Sequence, residues 1–399
     1  MSISSMLRGR WALLESSLKQ NDRARLHESI ARTAFYFFTF AYGVMTIVKL
    51  TRNAGRIPIN WTWSELLINY QGGFVKRGLL GEIFFQIQPY IGAVAVATVL
   101  VFCAYCLFTF LALQCLTNVP LSAFLFFVLS PAAFAFPIYD PRVFGRKEIF
   151  FFCAFALTLL TYIEFSDYRA KIVSFLFLYT VVALIHEAAL FFAPLSACLL
   201  VLSMEGHSQR FRIAVLFSLL LYVLGLGCFL LLSVNPNYDV SAIVRSWKPF
   251  FPNIEMAGGM KYLNKGFDLF LTQTRNKFLN FNGFTKPYLR DFCWALLPSV
   301  LLFTRGNYAE FAKNLLKSQP LVFLSLIGSL LAPVGLFLFQ DWGRWIHFIA
   351  VHTFISLAAL NRFGLVAYKP IPRPTNYHLK VYAFFFAYYA LLWRMPHLR

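Results

Sequence analysis

Residues 90–116 read YIGAVAVATVLVFCAYCLFTFLALQCL, a stretch without one Asp, Glu, Lys or Arg. A helix needs about 20 apolar residues to cross ~30 Å of hydrocarbon, and this stretch has them to spare. Similar apolar runs lie near 33–50, 120–138, 149–165, 172–185, 188–204, 213–233, 291–304, 319–339, 345–360 and 379–393. Together they predict an all-α, polytopic helical membrane protein with about 11 transmembrane helices. Composition agrees: 59% of the 399 residues are hydrophobic, 19% aromatic and 13% charged, and mean hydropathy is +0.63. A soluble protein carries about 25% charged residues, so a soluble enzyme is excluded.

Seven cysteines, Cys103, Cys106, Cys115, Cys153, Cys198, Cys228 and Cys293, fall inside or at the ends of these runs. They read as small buried hydrophobes and indicate neither a disulfide framework nor a zinc ribbon. No apolar stretch followed by small residues precedes Thr33, which predicts that the first span is retained as an anchor. The segment before it carries Arg8, Arg10, Lys19, Arg23, Arg25 and Arg32. Such a basic start is held in the cytoplasm.

From that start, residues 1–32 form a cytoplasmic basic segment and 33–399 a single transmembrane domain, with outer loops 50–89, 139–148, 234–290 and 340–344. Of the 36 Lys and Arg, 17 then fall inside and 19 outside, so the usual inward excess is missing. The long 234–290 loop holds eight of the outer ones and, being long, escapes the charge rule. The short loops do not escape it. Lys49, Arg52, Arg56, Lys76 and Arg77 in the first, and Arg142, Arg146 and Lys147 in the second, imply an anionic ligand at the outer face. The net charge of +19 does not imply nucleic acid, since no contiguous soluble module is present to bind it. On the inner side it implies attraction to anionic membrane lipid.

Tyr70-Gln-Gly-Gly-Phe-Val-Lys-Arg-Gly-Leu-Leu-Gly81 resembles a phosphate cradle, with glycines for close approach and Lys76 and Arg77 as donors. It is not a Walker A loop, because Leu79 stands where lysine is required. The plainer reading is a tight turn feeding an interfacial helix over 79–88, with Trp61 and Trp63 anchored among headgroups. In 139–148, Asp140 reads as a base or metal ligand beside Arg142, Arg146 and Lys147 as phosphate ligands; alternatively the turn neutralises itself and Glu148 caps the next helix. His186-Glu187 interrupts an apolar stretch where a lone carboxylate costs ~3 kcal/mol. Either the stretch is one buried helix or, the preferred reading, the pair marks an outer turn between two short spans. In both cases it needs a polar partner, an arginine in the plain structural reading, with a catalytic or substrate-orienting role as the other. Leu190 occupies the second ligand position of an HExxH zinc pattern, which therefore fails. Asp341-Trp-Gly-Arg-Trp345 offers an Asp341–Arg344 pair and two indoles for the interface or for a sugar ring. His347 and His352 read as packing residues. The long loop exceeds ordinary connections and should carry structure or act as a lid; Arg245, Lys248, Lys261 and Lys265 are its phosphate candidates.

The first span, an outer loop with short interfacial helices and a second large outer loop after the seventh span resemble the architecture of GT-C glycosyltransferases, including O-antigen polymerases and ligases. The phrases YQGGFVKRGLLG, FGRKE, HEAALFF and DWGRW look like those of bacterial polytopic proteins of surface-polysaccharide synthesis. The resemblance implies a bacterial inner-membrane enzyme and a polyprenyl-phosphate-linked glycan as partner, with an acidic base in the first outer loop, where Glu65 and Glu82 stand. The residues themselves leave Glu65, Asp140 and Glu187 in competition as base. Lys76, Arg77, Arg142, Arg146, Lys147, His186, Asp341 and Arg344 are expected to bind substrate. No cofactor is indicated, and metal use is left open. A flippase for the same lipid-linked glycan and a glycan acyltransferase with His186 as base are the alternative functions.

Overall fold

The computed structural model describes residues 3–52, 61–232, 238–256, 258–263, 272, 275–276, 279–280, 285–338, 342–369 and 383–394. Among them there is no strand, only an isolated bridge between Gly306 and Tyr368. The helices are α1 (Ile3–Arg52), α2 (Trp61–Leu66), α3 (Leu79–Ile87), α4 (Ala93–Cys115), α5 (Leu121–Val128), α6 (Phe136–Tyr139), α7 (Ile149–Glu164), α8 (Tyr168–Ile185) and α9 (Ala193–Leu202). There follow α10 (Gln209–Leu232), α11 (Val240–Trp247), α12 (Gly258–Leu263), α13 (Lys286–Ala295), α14 (Leu297–Arg305), α15 (Tyr308–Ser318), α16 (Pro320–Leu331), α17 (Trp342–Arg362) and α18 (Ala383–Leu392). Short 3-10 turns occupy Glu187–Phe191 and Ala332–Leu338.

Six described segments are long and apolar enough to cross a membrane: Arg25–Thr51, Ala93–Cys115, Tyr168–Ile185, Gln209–Leu231, Pro320–Phe337 and Trp342–Arg362. That is fewer than the eleven runs of the sequence. Helices α7, α9 and α18 are apolar but shorter, and the runs at 120–138 and 291–304 are broken. Proline explains the breaks. Pro131 follows the end of α5, and Pro298 sits at the start of α14; each removes an amide donor and crowds the preceding turn.

The broken 120–139 segment is possible because protein surrounds it. Buried irregular backbone must find its hydrogen bonds within the chain, and here side chains supply several of them. The Tyr42 hydroxyl donates to the Phe134 carbonyl at 2.7 Å, and His347 Nδ1 donates to that of Ala132 at 2.8 Å. Ser130 Oγ pairs with the Tyr389 hydroxyl at 2.7 Å, while the Tyr139 hydroxyl donates to Ala390 O at 2.8 Å. Helix α4 packs between α1 and α7, α9 against α10 and α16, and α14 against α5 and α17. Helix α17 is the central post: 89% of its span window is buried, against 17% for α1. Its polar side chains therefore face protein, and His352, bonded to the Phe348 carbonyl, stacks on Phe192 with centroids 4.2 Å apart.

A second, smaller core lies apart from the bundle and joins the two long loops into a cap. Val240, Ile243, Val244 and Trp247 recur at helical spacing and give α11 one apolar face. That face packs on Trp63, Leu66, Leu67, Ile68, Leu80 and Phe84. Polar contacts fix the register: Trp247 Nε1 donates to the Leu67 carbonyl at 2.9 Å, the Asp239 amide to the Gly72 carbonyl at 2.9 Å, and Asn69 Nδ2 to Ser246 Oγ at 2.9 Å. The helix expected over 79–88 is present as α3, and the long loop carries structure in α11 and α12. Trp63 does not anchor among headgroups; it is buried in the cap core, as Trp342 and Trp345 are buried in the bundle. Their large apolar rings gain more from a protein interior than from an interface. Trp61 lies outside the residues whose side chains are described.

Candidate functional site

Where the cap meets the bundle, charged side chains from separate parts of the sequence converge. Helix α8 ends because His186 adopts extended backbone (φ −165°, ψ 122°). Its Nδ1 accepts from the Ala188 amide at 3.2 Å, which starts the 3-10 turn carrying Glu187. Nε2 lies 3.5 Å from Glu65 Oε1, and Nδ1 also stands 3.5 Å from Glu187 Oε2, so the ring bridges the two carboxylates. Ile185, the preceding residue, belongs to the cap core, so the position of the His186-Glu187 turn follows the cap.

Arg77 binds two carboxylates at once. Its Nε and Nη2 meet Glu187 Oε2 and Oε1 at 2.9 and 2.7 Å, and Nη1 meets Glu65 Oε1 at 3.0 Å. Lys76 Nζ stands 3.9 Å from Glu187. Arg77 is the single non-glycine residue with positive φ among the described residues, at +70°, a conformation that costs about 1–3 kcal/mol. Lys147, wholly buried, donates its Nζ to the Arg77 carbonyl. Beside it Glu148, also buried, pairs with Arg344 of α17. Glu148 stands at the first turn of α7 but its side chain makes no capping hydrogen bond there.

Burial opposes charge on Glu65, but His186, Arg77 and Arg344 outweigh it and hold the carboxyl well below its ordinary range. Glu187 is held low in the same way, burial being overcome by Arg77, His186 and Lys76. Burial works against the Arg77 charge too, yet Glu187 and Glu65 raise its pKa above the usual guanidinium value. For Lys147 burial wins: its pKa is pushed down to about 7, the nearby carboxylates offsetting only part of the penalty. Glu65, Glu187 and Arg77 are thus charged at neutral pH, and burial brings Lys147 close to losing its proton there.

Of the residues expected to carry chemistry, Glu65, Lys76, Arg77, Lys147, His186, Glu187 and Arg344 are gathered here. Asp140 is elsewhere in its turn, its two oxygens taken at 2.9 Å each by Nε and Nη2 of Arg142. Arg146 is buried near Lys49 and Tyr105. Arg245 pairs with Asp239 at 2.6 Å, and Lys248 and Lys261 are exposed. Asp341 and Lys265 lie outside the described residues. Glu82 accepts from the Tyr70 amide at 3.0 Å and from Gln71 Nε2 at 3.1 Å, closing the turn that the sequence offered as a phosphate cradle. Gly81 of that turn serves packing: a Cβ there would lie 1.9 Å from the Ile68 carbonyl oxygen.

Glu148 is the participant that sequence reasoning missed in this role. A carboxylate at the start of a helix looks like a cap, and nothing local signals a partner 196 residues away. Two carboxylate oxygens, Glu65 Oε2 and Glu148 Oε2, are buried with no hydrogen-bond partner among the described residues. Helix α12 roofs the first of them. The Gly259 amide donates to Ser64 Oγ at 2.8 Å, and a Cβ on Gly259 would come within 3.0 Å of Glu65 Cβ. Among the described residues no group of three His, Cys, Asp or Glu is arranged to hold a metal ion. Comparison with protein families, with curated proteins and with solved structures finds no match for this chain.

Proposed function

We propose that the protein is a membrane glycosyltransferase or glycan polymerase that takes a sugar from a polyprenyl-(di)phosphate carrier at the extracytoplasmic face of a bacterial inner membrane, in cell-surface polysaccharide synthesis. In this reading the shorter and broken apolar helices also cross, giving about eleven spans, a cytoplasmic amino-terminal segment and a GT-C-like arrangement with the cap outside. One observation carries the reading: Glu65 Oε2 is buried, ionised and without a partner among the described residues, beside Arg77 and Lys76 on the more open side of the cluster.

The acceptor hydroxyl oxygen bonds to the anomeric carbon, and the bond from that carbon to the phosphate oxygen breaks. Polyprenyl (di)phosphate leaves with the electron pair, and the hydroxyl proton passes to Glu65. Asp140 and Glu187 are less suited to that role, since an arginine holds both oxygens of each. A carboxylate held so low is a weak base. That suits a transition state with oxocarbenium-ion character, in which the acceptor proton becomes acidic only as the new bond forms. Lys76 and Arg77 stabilise the departing phosphate, with Arg344 behind them. For the donor to reach Glu65, α12 must lift from Ser64, as lids over buried sites do. An acyltransferase with His186 as base is less well supported, because Nδ1 accepts from Ala188 and Nε2 faces Glu65.

The test is turnover by the full chain in proteoliposomes supplied with a defined polyprenyl-diphosphate sugar and acceptor. Glu65→Gln should still bind the donor but release polyprenyl diphosphate about 10²–10⁴-fold more slowly. Translocation of intact donor without cleavage, or parental turnover by the variant, would defeat the reading.

A further inference from the structure

Lys147 is the most deeply enclosed cation of the cluster, at 0% exposure, and its described hydrogen bond goes to a main-chain carbonyl instead of a carboxylate. That carbonyl belongs to Arg77, the residue held at φ +70°. We propose that Lys147 is a positioning residue: its buried ammonium holds the Arg77 backbone in the left-handed region, and this aims the guanidinium back between Glu65 and Glu187.

The geometry makes the alternatives costly. In ordinary right-handed or extended backbone the Arg77 carbonyl would turn away from Lys147 and leave a buried ammonium without that acceptor. The guanidinium would also leave Glu65 and Glu187, two carboxylates that share it at 2.7–3.0 Å. One buried contact from the 139–148 turn therefore fixes the conformation of a loop on a different stretch of chain. The inference does not depend on the transferase reading, because it concerns the shape of the loop whatever the loop binds.

The hold is also sensitive to proton loss, because an uncharged amine is a weaker donor to the carbonyl than an ammonium. The charged groups facing Lys147 are Glu65 on α2, Arg77 on the loop, Glu187 on the 3-10 turn and Glu148 on α7. Around these stand Lys76, Arg344 and His186. Burial brings the Lys147 pKa to about 7, so the loop should loosen as pH rises through neutrality. His186 is the other side chain of an ordinarily near-neutral type here, and the test must separate the two.

Hydrogen exchange of the full chain in lipid nanodiscs supplies that test, read on peptides covering residues 70–80 and corrected for intrinsic exchange rates. Lys147→Met should raise exchange in this loop about tenfold and leave α17 peptides unchanged. Lys147→Arg should keep parental protection at pH 6. Between pH 6 and pH 8.5 the parent loop should lose protection about tenfold, while Lys147→Arg, charged throughout and still holding His186, should not. Parental exchange in Lys147→Met overturns the proposal, as does a pH-dependent loss that persists in Lys147→Arg. If Lys147→Met does not fold, the pH comparison of the parent with Lys147→Arg decides alone.

Discussion

Replacing Arg344 by methionine removes one half of an ion pair that is almost fully buried, with side chains 8% and 4% exposed for Arg344 and Glu148. The partner left behind is a carboxylate enclosed between α7 and α17, already with one oxygen unpartnered among the described residues. Breaking such a pair from one side costs about 3–5 kcal/mol, because the remaining charge stays desolvated without compensation. Unfolding entropy of ~2 cal/mol/K per residue, over 399 residues, makes 1 kcal/mol worth about 1 °C of melting temperature. Arg344→Met should therefore lower the melting temperature by about 3–5 °C, and Glu148→Met by a similar amount. The double variant Arg344→Met/Glu148→Met, which places apolar side chains of similar volume on both helices, should recover most of that loss. Thermal unfolding of the four proteins in one detergent closes the cycle, with an expected coupling of about 5 kcal/mol or more. If the double variant melts at the sum of the two single losses, the side chains act independently and the assignment of a buried pair is wrong.

Gly81→Ala would put a methyl carbon 1.9 Å from the Ile68 carbonyl oxygen, forcing α3 off the cap. The expected loss is about 1–3 kcal/mol, together with faster hydrogen exchange in 240–247 but not in α17; unchanged exchange would refute the tight approach. Acid should loosen the same region. Glu65 and Glu187 have folded pKa values below their ordinary carboxylate range, so their contribution is present above about pH 4.5 and is lost as pH falls through the folded values. Melting curves from pH 6 down to pH 3 should show the decline, with a smaller one in Glu65→Gln, and equal declines in both proteins would count against it.

Much of the fold is legible from local pattern. The apolar runs at 90–116 and 213–233 correspond to α4 and α10, and the glycine-rich turn does feed a helix at Leu79. His186-Glu187 does fall between two helices, since a polar pair in an apolar stretch has few other stable places. What the pattern hides is pairing at a distance. Run length alone does not reveal that prolines break 120–138 and that tyrosines from α1 and α18 then complete it. Clustered glycines beside Lys76 and Arg77 suggest a phosphate cradle, although Gly81 answers to a carbonyl of its own loop. The tryptophans look amphipathic enough for an interface, and only the two-loop cap shows why Trp63 is inside. The gathering of Glu65, Arg77 and Glu187 is anticipated in outline by the expectation that they emerge on one side. Its pairing is not, because sequence does not say which carboxylates an arginine will choose.

The tie between the middle of the chain and α18 bears on how this protein is made. Ser130 meets Tyr389, and Tyr139 meets Ala390, across 259 and 251 positions of sequence. During synthesis the 130–139 segment must wait for 251 to 259 further residues to leave the ribosome before the Tyr389 hydroxyl and the Ala390 carbonyl arrive. Nascent 130–139 therefore spends that interval with lodging in the translocation machinery, in water or among temporary neighbours, and the bundle closes around its own centre only late in biogenesis.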